Sequence, residues 1–184
     1  MRRAFVAALR MVLVATLLLG LVYPLTITGL AQLSMPGRAD GSLVRADGRV
    51  VGSALLGQAF DGAGWFHGRP DAFDPTASGA GNLGPTNPAL GAAIAGRLED
   101  AGRAGADPVP VDALTSSGSG LDPHISPASA RLQAPTVARA RGLPVDDVLA
   151  LVEAHIEGPD LGFLGSERVN VLALNLALDA AAAK

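Results

Sequence analysis

The chain has no cysteine, one lysine, one tryptophan and one tyrosine in 184 residues. Without cysteine there is no disulfide framework, no thiolate metal site and no cysteine nucleophile, and the composition suits either redox compartment. The single lysine is the terminal Lys184, so a G-x-x-x-x-G-K-[ST] phosphate loop is excluded. Bases are also scarce. Three of the 14, Arg2, Arg3 and Arg10, precede the first apolar run, which leaves 17 acids against 11 bases from Ser34 onward, a balance of −6. That excess repels a phosphate backbone, and no basic stripe interleaved with aromatics offsets it, so nucleic-acid binding has no electrostatic footprint. With 23 Gly and 13 Pro, turns and short elements are expected in place of long sheets.

What the sequence does have is one long apolar run. Met11 to Ala31 carries no charge, and at ~1.5 Å per residue it matches the roughly 30 Å hydrocarbon core of a bilayer. Gly29-Leu30-Ala31 would also suit a signal-peptide cut, but the run exceeds the usual h-region of about 7 to 15 residues, which favours a retained span. Arginine counting leaves orientation tied, with Arg38, Arg45 and Arg49 matching the three at the N terminus. The compact N-terminal cluster before a first helix favours an inside N terminus. The organisation expected is a short cytoplasmic N terminus (1–10), a transmembrane helix (11–33) and one extracytoplasmic domain (34–184), periplasmic if the cell is Gram-negative. Thr16, Gly20 and Pro24 recur every four residues, a strip of small or kinking residues beside which another helix can approach closely. Tyr23, Thr26, Thr28 and Gln32 add polar groups better satisfied at an interface than in lipid.

The rest predicts a small α+β domain, mixed in helix and strand, with long Gly/Pro-rich loops. Asp47-Gly48 marks a hairpin turn, Trp65 to Gly68 a short strand, and Phe73 to Pro88 a surface loop. Asn87-Pro88 opens a helix through Leu90, Ile94 and Leu98 to Gly102 or Gly105. A second loop, Thr115 to His124, is closed by Ser126-Pro127, which starts a short helix to about Gln133. Pro135 breaks it and a turn runs on to Gly142. Pro144 begins an amphipathic helix with Val145, Val148, Leu149 and Val152 on one face, with Asp146 and Asp147 complementing its dipole. Gly158-Pro159 stops it, Leu161 to Leu164 is a candidate strand, and a final helix begins near Val169.

No reacting constellation emerges. Gly79, Gly81 and Gly84 fit G-x-G-x-x-G, but no strand precedes them and Pro85 follows where a helix should open. Ser119, Asp122 and His124 crowd into one short loop and Pro123 stiffens it, so a triad among them converges poorly. A membrane-tethered periplasmic hydrolase completed by His67 or His155 is the alternative reading. The three histidines show no paired metal-ligand spacing, and no catalytic residue, metal ligand or directly bound cofactor is assigned.

The loops carry long, specific strings. Tyr23-Pro-Leu-Thr, Gly52-Ser53, Leu56-Gly57-Gln58, Phe66-His-Gly-Arg-Pro70, Ser78, Gly81-Asn82-Leu83-Gly84-Pro85-Thr86-Asn87-Pro88, Ser117-Gly118-Ser119-Gly120-Leu121-Asp122-Pro123-His124-Ile-Ser-Pro127, Ala140-Arg-Gly142, Val169-Asn-Val-Leu and Leu174-Asn175 run through nearly the whole chain. In these the chain resembles the KdpC family, the small subunits of bacterial Kdp-type potassium-transporting ATPases. The resemblance implies a non-catalytic accessory protein with one span and an outer domain. Its partners would be the channel-like potassium-translocating subunit and the P-type ATPase motor, with ATP and potassium handled by the complex. It makes the face of Thr16, Gly20, Tyr23 and Pro24 a docking strip. The family's description as a catalytic chaperone raising the motor's ATP affinity meets no nucleotide motif in this sequence.

Overall fold

The computed structural model describes residues 1–103 and 108–182, in two compact units, 1–43 and 44–184. Gly105 and Lys184 lie outside the described residues.

The first unit is a helical rod, α1 (Arg2–Leu17) and α2 (Tyr23–Ser34), joined through a π-helical turn at Leu18–Val22. The wide turn has an identifiable cause. Pro24 has no N–H for the carbonyl four residues back, and its ring crowds that carbonyl, so the backbone widens to five-residue bonding. The four-residue step linking Thr16 to Gly20, whose Cβ position is 3.9 Å from Thr16 Cγ2, therefore does not pass unchanged to Pro24. The hydroxyls turn inward, Thr26 donating to the Val22 carbonyl and Ser34 to that of Leu30, each at 2.7 Å. No residue of α1 or α2 is buried. A short helix, α3 (Pro36–Ala39), follows, and Gln32 donates to Asp40 at 2.8 Å.

The hairpin forms where expected: β1 (Leu43–Ala46) and β2 (Arg49–Ser53) flank Asp47 (φ 49°) and Gly48 (φ 76°), the paired positive angles of a tight two-residue turn. Residues 54–87 contain no helix or strand. The strand expected at Trp65 to Gly68 is absent because side chains take the place of a neighbouring strand. Asn175 accepts from the Phe66 N–H and donates to its carbonyl, both at 2.9 Å, and Gln133 does the same for His67 at 2.8 and 3.0 Å.

Beyond α4 (Pro88–Arg103) and α5 (Val111–Leu114) lies the core. It is built from α6 (Pro127–Arg141), α7 (Val145–Ala154) and α8 (Val171–Ala182) against a three-stranded antiparallel sheet. The strands are β3 (His124–Ile125), β4 (Ile156–Glu157) and β5 (Arg168–Asn170), in the order β3-β5-β4, with Ile125 and Ile156 both opposite Val169. Phe66, Val152, Val169, Leu174 and Leu178 are fully enclosed.

Several expectations are corrected. Pro135 does not break its helix: α6 is continuous, and Pro135 and Arg131, whose carbonyl loses its donor four residues on, are both exposed, on the side of the helix where solvent has access. Gly142 (φ 67°), expected to close only a turn after Pro135, ends the whole helix. In α7, Val148 and Val152 are buried and Leu149 packs against them, but Val145 is exposed. That helix ends at Ala154, before Gly158-Pro159, because the chain turns directly into β4. Leu161 to Leu164 forms a tight turn instead of a strand.

Candidate functional site

The two irregular loops meet along a seam, and residues of one meet backbone of the other over a separation of about forty residues. Arg69 spreads its guanidinium over the second loop, donating to the Thr115 carbonyl at 3.1 and 3.0 Å, to the Thr115 hydroxyl and to the Ser116 carbonyl, each at 3.0 Å. Asp71 accepts from the N–H of Ser117 at 2.7 Å and from its hydroxyl at 2.5 Å. The Ser117 hydroxyl in turn accepts from the Gly120 N–H at 2.9 Å. Ser119 offers its carbonyl to the Ser78 hydroxyl (3.0 Å) and the Gly79 N–H (2.8 Å), and the Leu121 carbonyl accepts from Gly57 at 2.8 Å. Arg69 and Asp71 thus hold the seam by charge-assisted bonds, stronger than the neutral ones beside them.

Small residues are required along it. At Gly57 a Cβ would stand 2.5 Å from the Asp122 carbonyl oxygen and 2.7 Å from the Phe73 ring. Gly120 takes φ 69°, and its Cβ position is 3.0 Å from the Gly79 carbonyl oxygen.

At the inner end, Asp122 lies 3.6 Å from His124 Nδ1 and 3.6 Å from Arg69. The His124 ring, its backbone N–H and the Arg69 charge hold the Asp122 carboxyl below the usual aspartate range, against an opposing contribution from partial burial. Pro123 passes its carbonyl to the Val171 N–H at 3.0 Å, tying the seam to the start of α8. Asp112 accepts from the N–H and hydroxyl of Ser126, and that hydroxyl caps α6 through the Ser129 N–H at 3.0 Å. An open cleft of about 710 Å³ runs beside this end, lined by Arg69, Asp112, Asp122, His124 and Arg168 among others.

The structure therefore brings Ser117, Gly118, Ser119, Gly120, Asp122, Pro123 and His124 into one polar seam. It leaves Gly81, Asn82, Gly84, Pro85, Thr86, Asn87 and Pro88 outside it, all exposed. Asn82 adopts φ 52°, the Asn87 N–H closes a turn on the Gly84 carbonyl at 2.9 Å, and the Asn87 side chain caps α4 through the Ala89 N–H at 2.9 Å. The hydroxyl of Ser119 accepts from the Leu121 N–H at 3.1 Å and lies 3.4 Å from that of Ser117. Among the described residues no hydrogen bond links it to a histidine: His124 faces Asp122, and His67 and His155 turn to the carbonyls of Gly62 and Leu151. Nor, among these residues, do three histidine or carboxylate side chains converge as metal ligands. Sequence reasoning missed Arg69 and Asp71 as clamps and Gln133 as a backbone mimic. Arg69 lies in a polar string and Asp71 next to one, which was their only sequence signal, and Gln133 had none.

The family described as "K+-transporting ATPase, c chain" matches residues 5–180. The chain belongs to this KdpC family. A "Potassium-transporting ATPase KdpC subunit" of Cereibacter sphaeroides is 56% identical over 178 residues, covering 96% of each chain. That of Caulobacter vibrioides is 57% identical over 175 residues, covering 90% of this chain and 87% of its own. That of Sorangium cellulosum is 57% identical over 183 residues, covering 95% and 96%. Rod and domain are both included, so the KdpC likeness is not confined to the polar loops.

Proposed function

We propose that the chain is the small accessory component of a potassium-transporting P-type ATPase, and that it braces the complex without performing chemistry of its own. The observation that carries this reading is the family match across both rod and domain. The α1–α2 rod spans the membrane with its N terminus in the cytoplasm, supported by a 33-residue helix holding an 18-residue stretch of high hydropathy, none of it buried in the chain. Thr16, Gly20, Tyr23 and Pro24 dock on the channel-like subunit, with Thr16 and Gly20 one helical step apart and Tyr23 and Pro24 beyond the π turn. The exposed stretch 81–88 and the seam behind it lie over that subunit's outer mouth, where the acid excess favours cations. The P-type motor is the second partner, met through the assembled complex.

The seam supports a bracing role because its polar groups are spent on one another: the Ser117 hydroxyl is held between Asp71 and the Gly120 N–H, and the Ser119 hydroxyl accepts from the Leu121 N–H. The experiment is purification of tagged chain from native membranes in mild detergent. Two larger proteins are expected to accompany it, and Gly20→Leu, which fills the close-approach position, is expected to reduce their recovery several-fold. Recovery of the wild-type chain alone would overturn the proposal. Saturable ATP binding by the purified chain would instead support the catalytic-chaperone role, which assigns it direct nucleotide contact.

A further inference from the structure

The turn at residues 158–165, GPDLGFLG, sets large apolar side chains in the open: Leu161 is 83% exposed, Phe163 73% and Leu164 50%. Its backbone, by contrast, is closed on itself. Asp160 and Leu164 exchange N–H to carbonyl bonds at 2.9 Å each, Gly162 donates to Pro159 at 3.0 Å and Phe163 to Asp160 at 3.3 Å. Leu161 also stands at φ 55°, the left-handed region that Gly, Asn or Asp occupies more cheaply. A leucine here carries both backbone strain and an exposed apolar side chain, and a polar turn residue would relieve both. At the base, Arg168 pairs with Glu157 at 3.1 Å and with Asp160, the turn's one acid, at 3.4 Å.

An apolar tip whose Asp160, Gly162, Phe163 and Leu164 amides are already paired and whose acid is matched suits the edge of a bilayer, since lipid offers no partner for a free N–H. An ordinary protein interface covers about 800 Å² on each side, far more than three side chains supply. Three such groups do suffice for shallow insertion at the acyl boundary, where attraction scales with the apolar area buried. The acids nearby, Glu157, Asp160 and Glu167, suit a zwitterionic surface better than an anionic one.

The geometry points to this turn as a lipid-inserting tip, in which Leu161, Phe163 and Leu164 enter the surface of the bilayer that holds the N-terminal rod. This rests on the membrane attachment proposed above, and the test separates the two. Because the chain has no cysteine, Leu161→Cys, Phe163→Cys, Ala77→Cys and Leu18→Cys each give one site for an environment-sensitive fluorophore. The full-length variants are placed singly in phosphatidylcholine nanodiscs with or without lipid-borne quencher. The labels at 161 and 163 are expected to be blue-shifted and quenched several-fold more than the label at 77, with the label at 18 also quenched. Quenching at 18 with 161 and 163 behaving like 77 overturns the tip alone. Absence of quenching at 18 overturns the membrane attachment and the tip together. Protection of 161 and 163 only after the other components of the complex are added makes the turn a protein contact and also overturns the inference.

Discussion

The rod α1–α2 and the final helix α8 are both written in Leu, Val and Ala, yet they end in opposite surroundings. In α8, Leu174 and Leu178 are completely enclosed, whereas the rod buries nothing. Their polar residues explain the difference better than their apolar ones. Asn175 of α8 reaches across the core and pairs with both backbone groups of Phe66. Thr26 and Ser34 of the rod turn back onto carbonyls of their own helix. A helix whose polar groups look outward requires a protein neighbour, and one whose polar groups are satisfied within itself can offer an apolar surface to lipid. Length agrees: 33 residues in the rod and 12 in α8.

That contrast is broken most severely at Asn175. Asn175→Ala leaves a buried N–H and a buried carbonyl without partners, at about 1–3 kcal/mol each. A loss of roughly 2–5 kcal/mol in the domain's unfolding free energy is expected, read by denaturant titration of the detergent-solubilised chain. Stability within about 0.5 kcal/mol of wild type would remove the role given to Asn175.

A smaller loss is expected at the seam, where side chains and backbone of the two loops meet through hydrogen bonds and close contact. Gly57→Ala drives a methyl against the Asp122 carbonyl and the Phe73 ring, and overpacking of this kind costs about 1–3 kcal/mol. The same titration reads it, and an unchanged midpoint would show that the loops part freely at that point.

The smallest effect is a pH dependence at Asp122. Its carboxyl is held below the ordinary value of 3.8 in the folded chain, so the unfolded chain takes up the proton more readily. The stability this contributes is whole above the ordinary value and is lost as pH falls through the folded one. Thermal midpoints are expected to drop below about pH 4, and Asp122→Asn to flatten part of that drop. An identical acid slope in the variant would remove Asp122 from the account.

How much of this was legible depended on whether an element's partner lay nearby in sequence. Asp47-Gly48 fixed the hairpin, Ser126-Pro127 and Gly142 bounded α6, and Asn87-Pro88 opened α4, all through local backbone rules. The stretch Trp65 to Gly68 has the composition of a strand, and it fails to be one because its partners are the side chains of Gln133 and Asn175, 66 and 109 residues away. Leu161 to Leu164 is likewise apolar enough for a strand, but glycines at positive φ fold it into a turn. In the seam, Ser117 to His124 and Phe66 to Pro70 stood out as strings, whereas the clamping roles of Arg69 and Asp71 did not, since nothing local reveals a bond spanning 46 residues.

The central claim is that the rod crosses the membrane and carries the domain outside. It is tested most directly by labelling single cysteines in intact cells with a membrane-impermeant maleimide, using Ala77→Cys in the domain and Ala4→Cys at the N terminus. The account predicts that Ala77→Cys reacts in intact cells and that Ala4→Cys reacts only after the membrane is opened. The reverse pattern, or labelling of both sites in intact cells, would contradict it.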